Sequence, residues 1–218
     1  MTNQQPLTSI TDPDELWQKF FDATEDRQPR EMLIASLKYI PAPGCALDLG
    51  CGCGNDTLAM LKHGLTVTAI DAQDEAIERT LAKARLNKLD DQLQATTCAF
   101  EGFHAEPDSY DFIYSGFALP FCTKNHFADF WKMLIASLKP GGIIAGQLFG
   151  DRDEWASNPE HPANIFLATN EFDRITTGLD RLHFEDVERD GTTALDHAKH
   201  WHVYHFILRK PERDLPCT

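Results

Sequence analysis

The sequence predicts a single α/β domain built on a doubly wound, mostly parallel sheet whose last strand runs antiparallel. Three observations carry this. From residue 46 onward, short apolar runs alternate with longer segments of helical periodicity, the pattern of strands joined by crossover helices. The first apolar run, Ala46-Leu47-Asp48-Leu49, feeds a loop with glycines at 50, 52 and 54, as at a ligand-binding strand end. Only about ten polar residues separate the final two strand-like runs, too few for a crossover helix, so the last strand should return antiparallel.

Taken in order, Met1 to Thr11 is polar and reads as a mobile tail, and residues 211–218 form a second tail. Asp12-Pro13-Asp14-Glu15 has the chemistry of a helix start, with Asp12 as cap and Pro13 at the first position. Leu16, Trp17, Phe20 and Phe21 would form the apolar stripe of that helix. After the linker Glu25 to Gln28, Pro29 opens a second helix through about Ile40, which Pro41-Ala42-Pro43-Gly44 ends. Residues 12–40 thus form an N-terminal helical unit, a candidate lid, and 41–210 form the core.

Within the core, Thr57 to His63 reads as a helix closed by Gly64, and Val67 to Ile70 as a strand ended by Asp71. Asp74 to Lys88 is a helix rich in Ala, Glu, Lys and Arg; Leu93 to Ala99 and Asp111 to Ser115 are strands. Thr123 to Leu138 is a helix with Phe127, Phe130, Trp131, Leu134 and Leu138 on one face. Lys139-Pro140-Gly141-Gly142 reads as a sharp turn into the strand Ile143 to Phe149. Asn170 to Leu179 reads as a helix, and Phe184 to Arg189 and His200 to Arg209 as the closing strands.

The 218 residues suffice for one sizeable core, and 42% apolar with 25% charged residues is ordinary for a soluble domain. A net charge of −14, from 34 acidic against 20 basic residues, repels polyanions. With no basic cluster to override that field, nucleic acid is not expected as a partner, and a small-molecule substrate is. No apolar run is long enough to cross a bilayer and no secretory signal is visible, so neither a membrane partner nor export is expected; the location expected is cytoplasmic. The six cysteines show neither zinc-knuckle spacing nor a disulfide framework and read as small hydrophobes in a reducing compartment. An edge strand with exposed aromatics leaves monomer and homodimer both open.

The glycine loop separates two ligand classes. A dinucleotide fingerprint needs glycine at the sixth position, where this chain has Asn55. Asp48, two residues before the first glycine, would repel a pyrophosphate but suits a cationic ligand. Asp71 ends the second strand 17 residues beyond Gly54, where a carboxylate can accept hydrogen bonds from both ribose hydroxyls of an adenosine ligand. A strand-ending Asp in an ordinary turn is the plain alternative.

The loop from Ala46 to Thr57, the run Tyr110-Asp111-Phe112-Ile113-Tyr114-Ser115 and Leu138-Lys139-Pro140-Gly141-Gly142 together resemble the class I S-adenosylmethionine-dependent methyltransferases. The chain looks most similar to the tellurite-resistance group, through Asn55-Asp56 and the aromatic N-terminal helix. That resemblance implies S-adenosylmethionine as cofactor. Gly50, Cys51, Gly52 and Gly54 would lie under its methionine part, with Asp48 organising the ammonium. Asp71 and Ala72 would meet the ribose, Phe100 and Glu101 would flank adenine, and Ser115, Gly116 and Phe117 would border the methionine end and the substrate. The activity implied is methyl transfer to a heteroatom of a small acceptor. A module that binds the cofactor without transfer, and a nicotinamide-dependent oxidoreductase, are the rival classes.

The acceptor must approach the carboxyl edge of the parallel strands. Gln147 to Trp155 lies there, and an antiparallel last strand would bring Asp196, His197, Lys199, His200 and Trp201 to the same edge. Trp17, Phe20, Phe21, Arg27 and Arg30 could close over it. His200 is the candidate proton acceptor, because histidine titrates near neutrality. Packing with Tyr204, and a metal pair with His202 on the same strand face, are its alternatives; no metal is expected, since two ligands are too few. His205 points the other way and reads as an interior histidine. Arg152 and Lys199 are candidates for holding an anionic group, against plain ion pairing with Asp151, Asp153 and Glu154.

Overall fold

The strand before the glycine loop, β1 (Gly44–Leu49), buries Ala46, Leu47, Asp48 and Leu49 in succession. A strand apolar on both faces belongs inside a parallel sheet with helices on each side. The computed structural model, which describes residues 13–159 and 161–212, has that arrangement. β1 pairs in parallel with β2 (Leu65–Asp71) and β4 (Tyr110–Ser115). Outside these lie β3 (Leu93–Thr97) on β2 and β5 (Leu138–Gly150) on β4, again parallel. β7 (Asp180–Thr192) and β8 (Ala198–Arg209) complete the order β3-β2-β1-β4-β5-β8-β7, both in antiparallel pairings. The chain direction across the sheet switches between β1 and β4, where open α/β sheets hold their ligands.

Side-chain alternation divides the core in two. Ala46, Val67, Ala69, Phe112 and Tyr114 face Leu33 of α2 (Glu31–Leu37), Met60 of α3 (Asn55–Lys62) and Ile77 of α4 (Asp74–Leu86). Leu47, Leu49, Ile70 and Ile113 face the Phe127, Phe130, Trp131, Leu134 stripe of α5 (Lys124–Ser137) and Phe172 of α6 (Thr169–Ile175). Each fully buried large apolar side chain contributes about 1.5–3 kcal/mol, so the strands are fixed in register by what lies above and below them. α1 (Pro13–Thr24) lies apart from both layers, against the loop after β1 and α4: Phe21 packs with Cys53 and Ala76, and Arg79 bonds Asp22 and Glu25.

Three expectations need correction. Lys139-Pro140-Gly141-Gly142 lies within β5 rather than in a turn before it. The Gly141 amide donates to the Lys210 carbonyl and the Lys210 amide to Gly142, extending the ladder, while an irregularity opposite Tyr110 and Phe112 absorbs the proline. α6 stops at Ile175, not Leu179, and β7 begins at Asp180 rather than Phe184. Exposed Asp180 and Arg181 before Phe184, and exposed residues 190–192 after Arg189, hid the length of β7 from an apolar pattern. A two-residue strand, β6 (Phe166–Leu167), pairs with β5 and had no signal in the sequence. The Asp12 cap, the tail Met1 to Thr11 and Cys217 lie outside the described residues, as do residues 213–218 of the second tail. Among the described residues no helix is long and apolar enough to cross a membrane.

Candidate cofactor and acceptor site

The loop after β1 is shaped by backbone geometry that only glycine adopts without strain. Gly50, Gly52 and Gly54 have φ of 71°, 53° and 74°, all left-handed. The turn is pinned to β2, because the amides of Gly50 and Cys51 both donate to the Ile70 carbonyl. Gly54 packs so closely on α4 that an added Cβ would sit 2.9 Å from the Thr80 Cα. A Cβ on Gly52 would meet nothing within 4 Å, so the space above the loop is open to a ligand.

That space belongs to a cavity of about 830 Å³ running along the carboxyl edge of the sheet. At one end it is lined by Gly50 to Cys53, Asp71, Ala72, Phe100 and Glu101. At the other it is lined by Phe117, Phe121, Trp155, Trp201 and His205, with the tip of the β7–β8 hairpin, Gly191 to Leu195, at its mouth. Leu16, Trp17, Phe20, Phe21 and Thr24 of α1 form one wall, and Trp17 meets Phe121 edge-on at 5.2 Å. Phe117 adopts φ 66°, a strained conformation for an aromatic residue. It stands where the two ends of the cavity meet.

The expected cofactor residues fall into two groups. Gly50, Cys51, Gly52, Asp71, Ala72, Phe100 and Glu101 line the cavity. Asp48, Gly54 and Ser115 do not; they lie behind its surface and brace it. Ser115 is fully buried, accepting from the Leu119 amide and donating to the Leu49 carbonyl. Asp48 accepts a 2.5 Å hydrogen bond from Thr57 Oγ1. Burial, reinforced by the nearby charge of Asp56, pushes its carboxyl up to about 7. Asp71 accepts from the amides of Gly52 and Gln73, yet burial still raises its carboxyl above the usual range.

Two basic residues of the N-terminal unit enter the site. Arg27 and Arg30 both line the cavity and share the carboxylate of Asp56. One acid against two guanidiniums leaves surplus positive charge beside Gly116, and the buried Nε of Arg27 has no hydrogen-bond partner. Such a group suits a carboxylate on the ligand.

The acceptor-side expectations divide by strand face. Alternation along β8 sends residues 201, 203 and 205 into the cavity, and therefore turns 200 and 202 to the other face. Expecting both His200 and Trp201 at the mouth was geometrically inconsistent. His200 is bonded to Asp190 and Glu188, which raise its pKa, and it does not line the cavity. His202 is buried and held by Asp186, Arg152 and the Arg152 amide. Arg152 also lies off the cavity, paired with Glu188. Lys199 is buried in an ion pair with Asp153. Trp17, Phe117 and Trp201 do line the cavity.

Conversely, His205, expected in the interior, borders the cavity with Nδ1 3.4 Å from Gln147 Nε2. His161 was not anticipated. It stacks on Trp155 at 3.9 Å, and burial together with Lys199 lowers its pKa to about 4. Arg189, on the exposed β7, and the hairpin tip were also missed as cavity residues, because polar residues on an edge strand or in a connection carry no apolar pattern. Among the described residues no group of three His, Cys, Asp or Glu side chains is placed to hold a metal.

Comparison with known proteins finds a matching domain model and several relatives. Residues 46–142 match the model of a methyltransferase domain. The chain is 33% identical over 135 residues to the S-adenosyl-L-methionine-dependent Diels-Alderase iccD of Talaromyces variabilis, covering 59% of this chain and 44% of that protein. It is 32% identical over 102 residues to N-terminal Xaa-Pro-Lys N-methyltransferase 1 of Homo sapiens, covering 46% and 45% respectively. The chain therefore spans less than half the length of these curated relatives. In structure it is similar to TehB from Haemophilus influenzae, with a TM-score of 0.70 at 19% identity over 83% of this chain and 62% of that one. It is also similar to a phosphoethanolamine N-methyltransferase of Haemonchus contortus bound to S-adenosylhomocysteine, with a TM-score of 0.68 at 16% identity over 92% and 58%.

Proposed function

We propose that this chain, a member of the class I S-adenosylmethionine-dependent methyltransferases through its 46–142 segment, transfers a methyl group from that cofactor to a heteroatom of a small-molecule acceptor. One observation carries the reading: a single cavity joins the glycine loop and Asp71 to an aromatic chamber. Donor and acceptor can therefore meet without crossing solvent.

The residues present fit the cofactor. The open space over Gly52 would admit its backbone-hugging amino-acid part, Asp71 would meet the ribose, and Arg27 with Arg30 the carboxylate, all of them lining the cavity. Asp48, behind the loop, would supply the counter-charge for the ammonium through the loop backbone. When bound, S-adenosylmethionine supplies a methyl carbon already activated by a positive sulfur. The chain has to align the nucleophile, exclude water and accept or release a proton. Alignment falls to Phe117 and the rings beyond it, and exclusion of water to α1 and the hairpin tip. Those two covers also make the N-terminal unit a lid in this reading. The acceptor is the partner, and monomer and homodimer remain equally compatible with it.

Isothermal titration with S-adenosylmethionine, followed by a mass-spectrometric scan for products one methyl heavier, tests the proposal. Saturable binding and a methylated product are expected. Absence of binding overturns the cofactor assignment. Binding without any product favours a second reading, cofactor-dependent action without transfer, which the Diels-Alderase name of one relative brings into view.

A further inference from the structure

The acceptor end of the cavity has a charge pattern that selects among ligand classes. Its walls are rings: Trp17, Phe117, Phe121, Trp155 and Trp201 line it, and Phe149 lies among them at 5.5 Å from Trp155 and 6.1 Å from Phe117 and Trp201. An aromatic enclosure of this kind usually favours cations, whose charge is drawn to the ring faces. Here that role is already taken. The Lys199 ammonium lies 3.7 Å from the ring centroid of Trp201 and 4.2 Å from that of Trp155. Its side chain is 1% exposed and its charge is closed off by Asp153. The two indoles are thus engaged from within the protein.

The remaining charges point the same way. Arg30 stands over Phe117 at 5.6 Å. Arg189 lies directly across the ladder from Trp201, and among the described residues no carboxylate is within ion-pair distance of it. Gly191, next on that face of β7, leaves room for the Trp201 ring, which an added Cβ would approach to 3.3 Å. The acids of the cavity are engaged elsewhere. Asp71 accepts from two backbone amides, Glu101 from the Thr123 amide and hydroxyl, and Asp190 is bonded to His200 on the other face. Among the described residues, no carboxylate that lines the cavity is left without a hydrogen-bond partner. The overall charge of −14 would attract cations from afar, but beyond about 8 Å it is screened at physiological ionic strength. What meets the acceptor inside the chamber decides.

We propose that the acceptor is a planar aromatic molecule, uncharged or carrying one negative charge, stacked among Trp17, Phe117, Phe121, Trp155 and Trp201 with its anionic group toward Arg189. This deepens the proposed function and rests on it only for the transfer step. In that step a lone pair on the acceptor's oxygen or sulfur forms the bond to the methyl carbon. The sulfonium C–S bond breaks with its electron pair going to sulfur, and any proton on the acceptor leaves to solvent. Cationic amines, including the Xaa-Pro-Lys termini named for one group of relatives, are disfavoured because they would meet arginines and pre-engaged rings.

The test uses the full chain and two readouts. Quenching of tryptophan fluorescence, with and without S-adenosylhomocysteine, reports binding of matched aromatic carboxylates, neutral phenols and thiophenols, arylalkylamines, a Xaa-Pro-Lys peptide and a small inorganic oxyanion. Turnover with S-adenosylmethionine is measured on the same set. The neutral and monoanionic aromatics should bind and react at least tenfold better than the cations and the oxyanion. R189Q should lower the preference for a carboxylate-bearing acceptor over its neutral analogue about fivefold to tenfold, and R189K should restore part of it. Preference for the amine, peptide or oxyanion overturns the proposal, as does a preference unmoved by R189Q. If the aromatics bind selectively but no methylated product forms, the acceptor class stands and the transfer reading falls. If S-adenosylmethionine binds and the aromatics do not, the reverse holds.

Discussion

Gly52 and Asp71 are joined by a 3.0 Å hydrogen bond from the glycine amide to Asp71 Oδ2, which ties the loop after β1 to the end of β2. Oδ1 of the same carboxylate accepts from the Gln73 amide at 3.1 Å. A residue that would hold the ribose therefore also shapes the loop under the methionine part. The two halves of the candidate cofactor site are thus tied through one carboxylate.

Substitution of Asp71 should consequently do more than delete a ligand contact. Hydrogen bonds to a charged group contribute about 1.5–3 kcal/mol each, and about 1.4 kcal/mol is tenfold in affinity. Asp71→Ala should weaken S-adenosylmethionine binding by roughly tenfold to a hundredfold by those figures. Asp71→Asn should not rescue it fully, because its carbonyl oxygen can accept from one backbone N–H while its NH2 end cannot accept from the other. Titration calorimetry on both variants checks this; unchanged affinity in Asp71→Ala would remove the ribose assignment.

Asp48 offers a pH signature. Its folded-state carboxyl sits at about 7, above the ordinary carboxylate value, because burial and Asp56 disfavour the charge. A raised folded pKa means that the native state holds a proton the unfolded chain has released. Stability from this group is therefore fully present below about pH 4 and is lost as pH rises through 7. Asp48→Asn, whose carbonyl can still accept from Thr57, should be more stable than the parent above pH 7, by up to a few kcal/mol. The gain should vanish toward pH 4, and cofactor affinity should fall at every pH where the parent is ionised. Thermal denaturation from pH 5 to 8.5 separates these. A stability difference independent of pH would show that Asp48 is not buried neutral.

How far the sequence reached can be judged from the strand ends. β1, β2 and β4 were legible because buried parallel strands must be apolar on both faces, and the left-handed turn at Gly50 to Gly54 admits little except glycine. Asp71 was legible as the acid closing β2. Asp48 and Ser115 were expected at the cofactor and lie behind the cavity surface instead, because nothing in a linear pattern distinguishes a residue lining a cavity from one bracing it from behind. The acceptor end was harder still. Trp155 ends the segment expected at that edge, but His161 and Arg189 come from an irregular segment and a polar strand, and they reach the same cavity only in the folded sheet. On β8 the alternation was visible, while the face that meets the cavity depends on the sheet as a whole.

His200 follows from that last point. Its imidazole is bound to Asp190 and Glu188 on the face opposite His205, and both carboxylates lie at the surface. Exposed pairs of this kind contribute little to stability. His200→Ala should leave turnover within about twofold of the parent and thermal stability close to it. His205→Ala, which opens a gap against Phe117 and Gln147, should change acceptor KM. Steady-state kinetics on the two variants side by side decide between the faces. A large kcat loss in His200→Ala alone would return that histidine to the reaction.

The Lys199–Asp153 pair carries the largest stability prediction. Asp153 accepts from the Lys199 ammonium at 2.5 Å, and also from the amides of Trp155 and His202 at 3.1 Å each. Asp153→Ala would leave a buried cation without its counter-ion, with the His200 carbonyl at 3.3 Å still accepting from it, and two amides without their acceptor. Breaking one side of a buried pair costs about 3–5 kcal/mol, and for a chain of this size each kcal/mol moves Tm by about 2–4 °C. A fall in Tm of roughly 6–20 °C follows from those two ranges. Removing the whole pair, as Asp153→Leu with Lys199→Met, should recover part of the loss by eliminating the stranded charge, though the two amides stay unsatisfied. The double variant also removes the positive charge from the indole faces, leaving an uncharged thioether there. If Lys199 is what denies those faces to cations, discrimination against arylalkylamines should relax in it while binding of neutral aromatics persists. A double variant that folds and still rejects the amines would assign the discrimination to Arg30 and Arg189 instead.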